Sequence, residues 1–231
     1  MRKGVLLLGG LKFPDKVLKK YTTIYGDVEN IMVRFTFTGM VRGKDYYVYD
    51  DLNRKLDKFD QLHIHALSGS AHILYRFMDK FPDQKEKVVS QVYDSPCHIM
   101  GVVPTFEKLY GIPPSLSESV VRNVFSDCFE TSEQFMKEAL VRSVPTGIIQ
   151  STNDMIAPLN MMDKMITNWE KTNDIQVHTS DSEHLNTFRD YPSQYTKFCQ
   201  KIFNDDDDVI NKQLLNIKIQ FNGNKKVYGM L

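Results

Sequence analysis

Residues 61–78 read QLHIHALSGSAHILYRFM, and this stretch decides the fold. A largely apolar run ends at Leu67, Ser68 follows among Ala66, Gly69, Ser70 and Ala71, and a helical pattern opens at once. A strand that passes into a helix through small residues has the layout of a nucleophile elbow. There a serine sits on a strained turn, and small neighbours two places before and after let the chain fold sharply. The turn lifts the hydroxyl clear of the sheet, points the positive end of the helix at it and frees the Gly69 N–H to stabilise an oxyanion. Small-residue strand-to-helix turns also serve packing and phosphate binding, so the fragment alone leaves a plain tight turn open.

Outward from this stretch, apolar β-rich runs alternate with helical ones. Strands are expected at Gly4–Gly9, Asn30–Phe37, Gln61–Leu67, Lys87–Tyr93, Pro145–Gln150 and Ile175–Thr179. Most lack polar alternation, as befits strands buried on both faces. Helices are expected at Pro14–Tyr25, Asp45–Phe59, Ser70–Phe81, Leu159–Thr172 and Thr187–Phe203. Such alternation predicts an α/β chain, a three-layer α/β/α sandwich around a mostly parallel six-stranded sheet with right-handed crossovers. One connection, about 97–144, is too long for a simple crossover and carries helical pattern, which predicts an inserted cap. The domain then spans 1–203, and 204–231 form an acidic linker, NDDDD, followed by a terminal hairpin or flexible tail.

The 231 residues suit one large domain, or one with a tail. Lys+Arg and Asp+Glu balance at 29 each, so the whole-molecule field gives little attraction to polyanions and nucleic acid is not the expected partner. Cys97, Cys128 and Cys199 are odd in number and scattered, which argues against a disulfide scaffold and a structural zinc site. A reducing, cytoplasmic location is the simplest expectation. The amino-terminal apolar run is too short for a signal peptide, and no stretch approaches the roughly 20 apolar residues that cross a bilayer.

A serine nucleophile needs a base, and the base an orienting carboxylate. Asp154 lies in STNDMIAP, past the fifth strand, and His184 in SDSEHLNTF, past the sixth. Ser68, Asp154 and His184 therefore run in the order Ser, Asp, His, each just beyond a different strand, as the α/β-hydrolase fold requires. Asp94, in VYDSP after the fourth strand, is the alternative acid; its plainer role is to hold the DSP turn. A second oxyanion donor is expected after the first strand, from the backbone N–H of Gly10 or Leu11. His178 falls inside a strand and reads as packing. His63, His65 and His72 lack convergent carboxylates, so no metal is expected, and His65 is placed to support the elbow from beneath. Met100, Phe106, Leu109, Tyr110, Phe125, Phe129, Phe135 and Met136 either line an apolar pocket in the cap or simply pack its helices.

VLLLGG with DKVLKKYTTIY, HALSGSA with LYRFM, VYDSP, the STND loop and SEHLNTFRDYPSQY together resemble the transmembrane protein 53-like branch of the α/β-hydrolases. The resemblance covers roughly Lys3 to Phe203 and implies Ser68, Asp154 and His184 as the triad positions; hydrolysis by such a triad needs no metal or organic cofactor. The expected activity is hydrolysis of a small-molecule ester or thioester. The competing expectation is an inactive scaffold of the same fold that binds a protein or lipid, because a fold does not establish turnover; a nucleotide-binding doubly wound domain is a third.

Overall fold

The computed structural model describes residues 1–10, 13–34, 46–104, 107, 111–124 and 126–204. Six strands, β1 (Lys3–Gly9), β2 (Glu29–Arg34), β3 (Gln61–Leu67), β4 (Val88–Asp94), β5 (Thr146–Ser151) and β6 (Ile175–Ser180), form one sheet in the order β2-β1-β3-β4-β5-β6. Every neighbouring pair is parallel. The chain leaves β1 for β2 and then crosses back to β3. That reversal opens a crevice at the carboxyl ends of β1 and β3, where open α/β sheets take their ligands.

Both faces are covered. Alternate residues of β1 divide between two cores, Leu6 and Leu8 on one face, Val5 and Leu7 on the other. The first face carries α2 (Tyr46–Leu56), α3 (Ser70–Lys80), the short α4 (Pro82–Glu86) and α7 (Leu159–Trp169), with Trp169, Phe77 and Tyr93 fully buried. The second carries α1 (Asp15–Tyr21), which tightens into a 3-10 turn at Thr22–Tyr25, and the last helix, 192–204. Between β4 and β5 the insertion holds a 3-10 turn (Ile99–Val102), α5 (Pro114–Val124) and α6 (Ser126–Lys137) around Ile99, Val103, Val121 and Cys128.

The expected strands all form within a residue or two of their sequence bounds, save that 35–37 lie outside the described residues, as does Asp45, the first residue of the expected helix Asp45–Phe59. The expected helix Thr187–Phe203 is instead two pieces: α8 (Thr187–Asp190) stops at Tyr191 (φ −130°, ψ 56°), and the chain restarts as 192–204. Pro192 is the cause, since its ring disfavours helical backbone in the residue before it. The same effect at Phe81 ends α3 and lets Pro82 open α4, a helix that the sequence pattern does not predict. The linker and tail lie, beyond Asn204, outside the described residues, as do Leu11, Phe106, Leu109, Tyr110 and Phe125.

Candidate active site

Ser68 follows the last residue of β3 with φ 55°, a left-handed backbone uncommon for a side-chain-bearing residue. The turn is fixed on three sides. Its N–H donates to the Asp94 carbonyl at 2.8 Å, Ala66 is fully buried two residues before it, and the Ser70 hydroxyl donates to the carbonyls of Leu67 (2.8 Å) and Leu8 (3.2 Å). Ser70 thus stands at a position where glycine is common by making itself a clasp between the elbow and β1. Helix α3 starts immediately after Gly69 and presents its positive end to the serine.

Asp154 sits in the loop after β5, 5% exposed. Its Oδ1 accepts from the N–H groups of Ile156 (2.9 Å) and Ala157 (2.8 Å), which fixes the carboxylate plane and leaves Oδ2 for one more partner. That partner is His184, whose Nδ1 lies 2.7 Å away. With the ring proton on Nδ1, Nε2 accepts from the Ser68 hydroxyl at 2.8 Å. Burial opposes the charge of Asp154, but the His184 hydrogen bond and charge, with the two backbone N–H groups, hold its carboxyl below the usual range. The loop bearing His184 is stapled to the β5 side by Asn153 Nδ2–H to the Asp181 carbonyl (2.5 Å) and by a Ser151 hydroxyl bond to the Ser182 carbonyl. Leu185, directly after the histidine, takes φ 59°, so the chain doubles back and aims the ring at the elbow.

The glycine after β1 belongs to the same place. A Cβ built on Gly10 would lie 3.2 Å from Ser68 Cβ, so the backbone there abuts the serine as only glycine allows without displacement. Leu11, the other expected donor, lies outside the described residues.

Asp94 is not the partner of His184. Its Oδ2 accepts from Tyr195 (2.7 Å) and its Oδ1 from Ser95 (3.1 Å), and it has no exposure. Burial pushes its carboxyl up to about 6, against the lowering by the Tyr195 bond, the His184 charge and Ser95. A line of buried groups continues from it: Tyr195 to His65 Nε2 (2.9 Å), and His65 Nδ1 to Tyr25 (2.7 Å). Burial pushes the His65 imidazole down to about 3, so the ring is neutral. His63 bonds Ser90 (2.7 Å) and lies against Phe203, and His178 lies against Phe198. These histidines face separate neighbours, and among the described residues no cluster of His, Cys, Asp or Glu has the make-up of a metal site. Phe135 is no pocket residue: it packs edge-on against Tyr75, Tyr93 and Trp169 in the main core.

Sequence reasoning places neither Cys97 nor His72 at the serine. Cys97 Sγ lies 3.6 Å from Ser68 Oγ, and His72 holds the Cys97 carbonyl at 2.6 Å. A cysteine three residues past a strand is legible only once the strand's neighbours are known.

No family model matches the chain, and no curated protein matches it in sequence. Solved structures do match. An esterase of Pyrococcus furiosus superposes with a TM-score of 0.62 at 11% identity, over 88% of this chain and 82% of that one. Mouse alpha/beta hydrolase domain-containing protein 10 gives 0.55 at 12% identity over 91% and 90%. A monoacylglycerol lipase of Paleococcus ferrophilus gives 0.50 at 12% over 87% and 94%. The chain has the α/β-hydrolase fold. Identities this low carry the fold and no activity. Among the described residues, no helix is long and apolar enough to cross a membrane.

Proposed function

We propose that this chain is a serine hydrolase of small acyl compounds, an esterase or thioesterase. One observation carries the reading: the unbroken hydrogen-bonded line from Ser68 through both nitrogens of His184 to Asp154, ending on a left-handed serine at the start of a helix. In this reading Ser68 Oγ attacks the acyl carbon while His184 Nε2 takes its proton. Asp154 keeps the Nδ1 proton facing it and stabilises the imidazolium, and His184 returns the proton to the leaving group. Water then enters by the same route and releases the acid. The oxyanion falls to the N–H groups of Gly69 and Gly10, with Leu11 as the other candidate. In this reading the described part of the insertion (97–104, 107, 111–124 and 126–144) serves as a cap over the site. The esterase and lipase names of the structural neighbours support an ester as the substrate class. Kinship with the transmembrane protein 53-like branch is part of this proposal and rests on SEHLNTFRDYPSQY and HALSGSA.

The test is hydrolysis of short p-nitrophenyl esters and thioesters by the full chain and by Ser68→Ala. Turnover lost in the variant, with the fold retained by circular dichroism, is the expected result. Equal and negligible turnover by both proteins rejects it and favours a binding scaffold.

A further inference from the structure

Given the hydrolase reading, on which this inference rests, a substrate chain joined to Ser68 must pack against the side chains around that hydroxyl. Cys97 is one of them. Its Sγ lies 3.6 Å from Ser68 Oγ, and a Cβ built on Gly69 would come within 3.8 Å of the same sulfur. Burial pushes the thiol up to about 11, only partly offset by the Ser68 bond, so it stays protonated: a compact, polarisable surface and not a second nucleophile.

What keeps Cys97 there is a line of buried polar groups with no part in the hydrolytic chemistry. His72 lies on α3, four residues after Ser68, and is 2% exposed. Burial pushes its imidazole down to about 4, so the ring is neutral and carries one proton. That proton, on Nε2, is donated to the Cys97 carbonyl at 2.6 Å. Ser132, fully buried on α6, lies 3.3 Å from Nδ1 and 3.2 Å from Nε2; with Nε2 committed, its hydroxyl donates to Nδ1. Ser132 Oγ in turn accepts from the Ile99 N–H at 3.2 Å, and Phe135 meets the imidazole edge-on at 5.5 Å. Cys97 is therefore pinned through its own carbonyl and Ile99 through its N–H, one bond reaching the helix of the elbow and the other the insertion. Buried polar groups so fully paired specify one arrangement of the segment that bears them.

We infer that the Cys97 side chain is the wall that selects which acyl or alcohol chains fit beside Ser68. His72 and Ser132 are positioning residues that hold this wall and tie it to α6.

The experiment measures kcat/KM of the full chain for p-nitrophenyl esters from acetyl to decanoyl, with a thermal midpoint for each variant. Cys97→Ala is expected to raise the ratio of long-chain to short-chain kcat/KM about tenfold, the scale for a methylene-sized change in an apolar pocket. Cys97→Ser, of similar size, keeps the original profile. His72→Phe keeps a ring but loses both bonds and moves the ratio the same way as Cys97→Ala. His72→Gln, which retains a donor for the Cys97 carbonyl, moves it less, and Ser132→Ala falls between. Lowered midpoints with an unchanged ratio across these variants overturn the inference and leave the hydrolase reading standing. If His72→Phe does not fold, Cys97→Ala decides alone. A wild type that hydrolyses none of the esters, like Ser68→Ala, overturns both together.

Discussion

Asp94 offers a prediction whose size comes from its surroundings. Its carboxyl is fully buried and pushed up to about 6 from an ordinary 3.8, so between these values the folded protein holds a proton that the unfolded chain has lost. Stability then falls as pH rises through that window, because the native state binds more protons than the unfolded one. A shift of about 2 units corresponds to roughly 3 kcal/mol, about 2 of which develop between about pH 4 and pH 7.5. Asp94→Asn removes the charge while an amide can still accept from Tyr195 and donate to Ser95. The stability difference, variant minus wild type, should therefore grow by about 2 kcal/mol over that range. At about 2–4 °C per kcal/mol for a chain of this size, the gap in melting temperature should widen by about 4–8 °C in the variant's favour. Asp154, held below its usual range, works in the opposite direction, its stability lost as pH falls, but it is common to both proteins and cancels. Differential scanning fluorimetry of the pair across pH reads the quantity directly. A melting-temperature gap that stays constant from pH 4 to 7.5 refutes the description of Asp94 as a desolvated carboxyl.

Three further outcomes are set by the geometry. Asp154→Ala strips His184 Nδ1 of its acceptor and should lower kcat for ester hydrolysis by about 10⁴-fold, with substrate KM little changed; a loss under tenfold contradicts its orienting role. Gly10→Ala places a methyl 3.2 Å from Ser68 Cβ and, through a displaced nucleophile, should cost about 10-fold to 100-fold in kcat/KM while the melting temperature holds. Gly101→Ala puts a Cβ 2.1 Å from the Ile156 carbonyl, directly behind the Asp154 loop, and should destabilise by about 1–3 kcal/mol in urea titration.

Much of this architecture was legible because its signals are local. The β3 expectation, Gln61–Leu67, matches the observed strand at both ends, since a fully buried run stops at the small-residue turn around Ser68. Proline could have refined the rest: Pro192 marks a break that the expected helix Thr187–Phe203 bridged, and Pro82 opens a short helix just past the expected end of Ser70–Phe81. For the site, chain order singled out Ser68, Asp154 and His184, and their side chains lie within hydrogen-bond reach of one another. Their chemical roles belong to the proposal. Asp94 illustrates what stays hidden, because its partner Tyr195 is 101 residues away and no spacing rule connects them. Cys97, His72 and Ser132 escape for the same reason: Cys97 reads as one of three scattered thiols, His72 as one of three histidines without carboxylates and Ser132 carries no motif, and only the fold sets Cys97 beside the serine, His72 on the Cys97 carbonyl and Ser132 on His72.

Whether Ser68 is an activated nucleophile is read by covalent labelling of the native chain with a fluorophosphonate, followed by mass spectrometry of the modified peptide. A single adduct on Ser68 is expected, slowed strongly in His184→Ala and absent in Ser68→Ala. A folded protein that takes no label, or takes it equally on another residue when Ser68 is replaced, contradicts the activation of this serine.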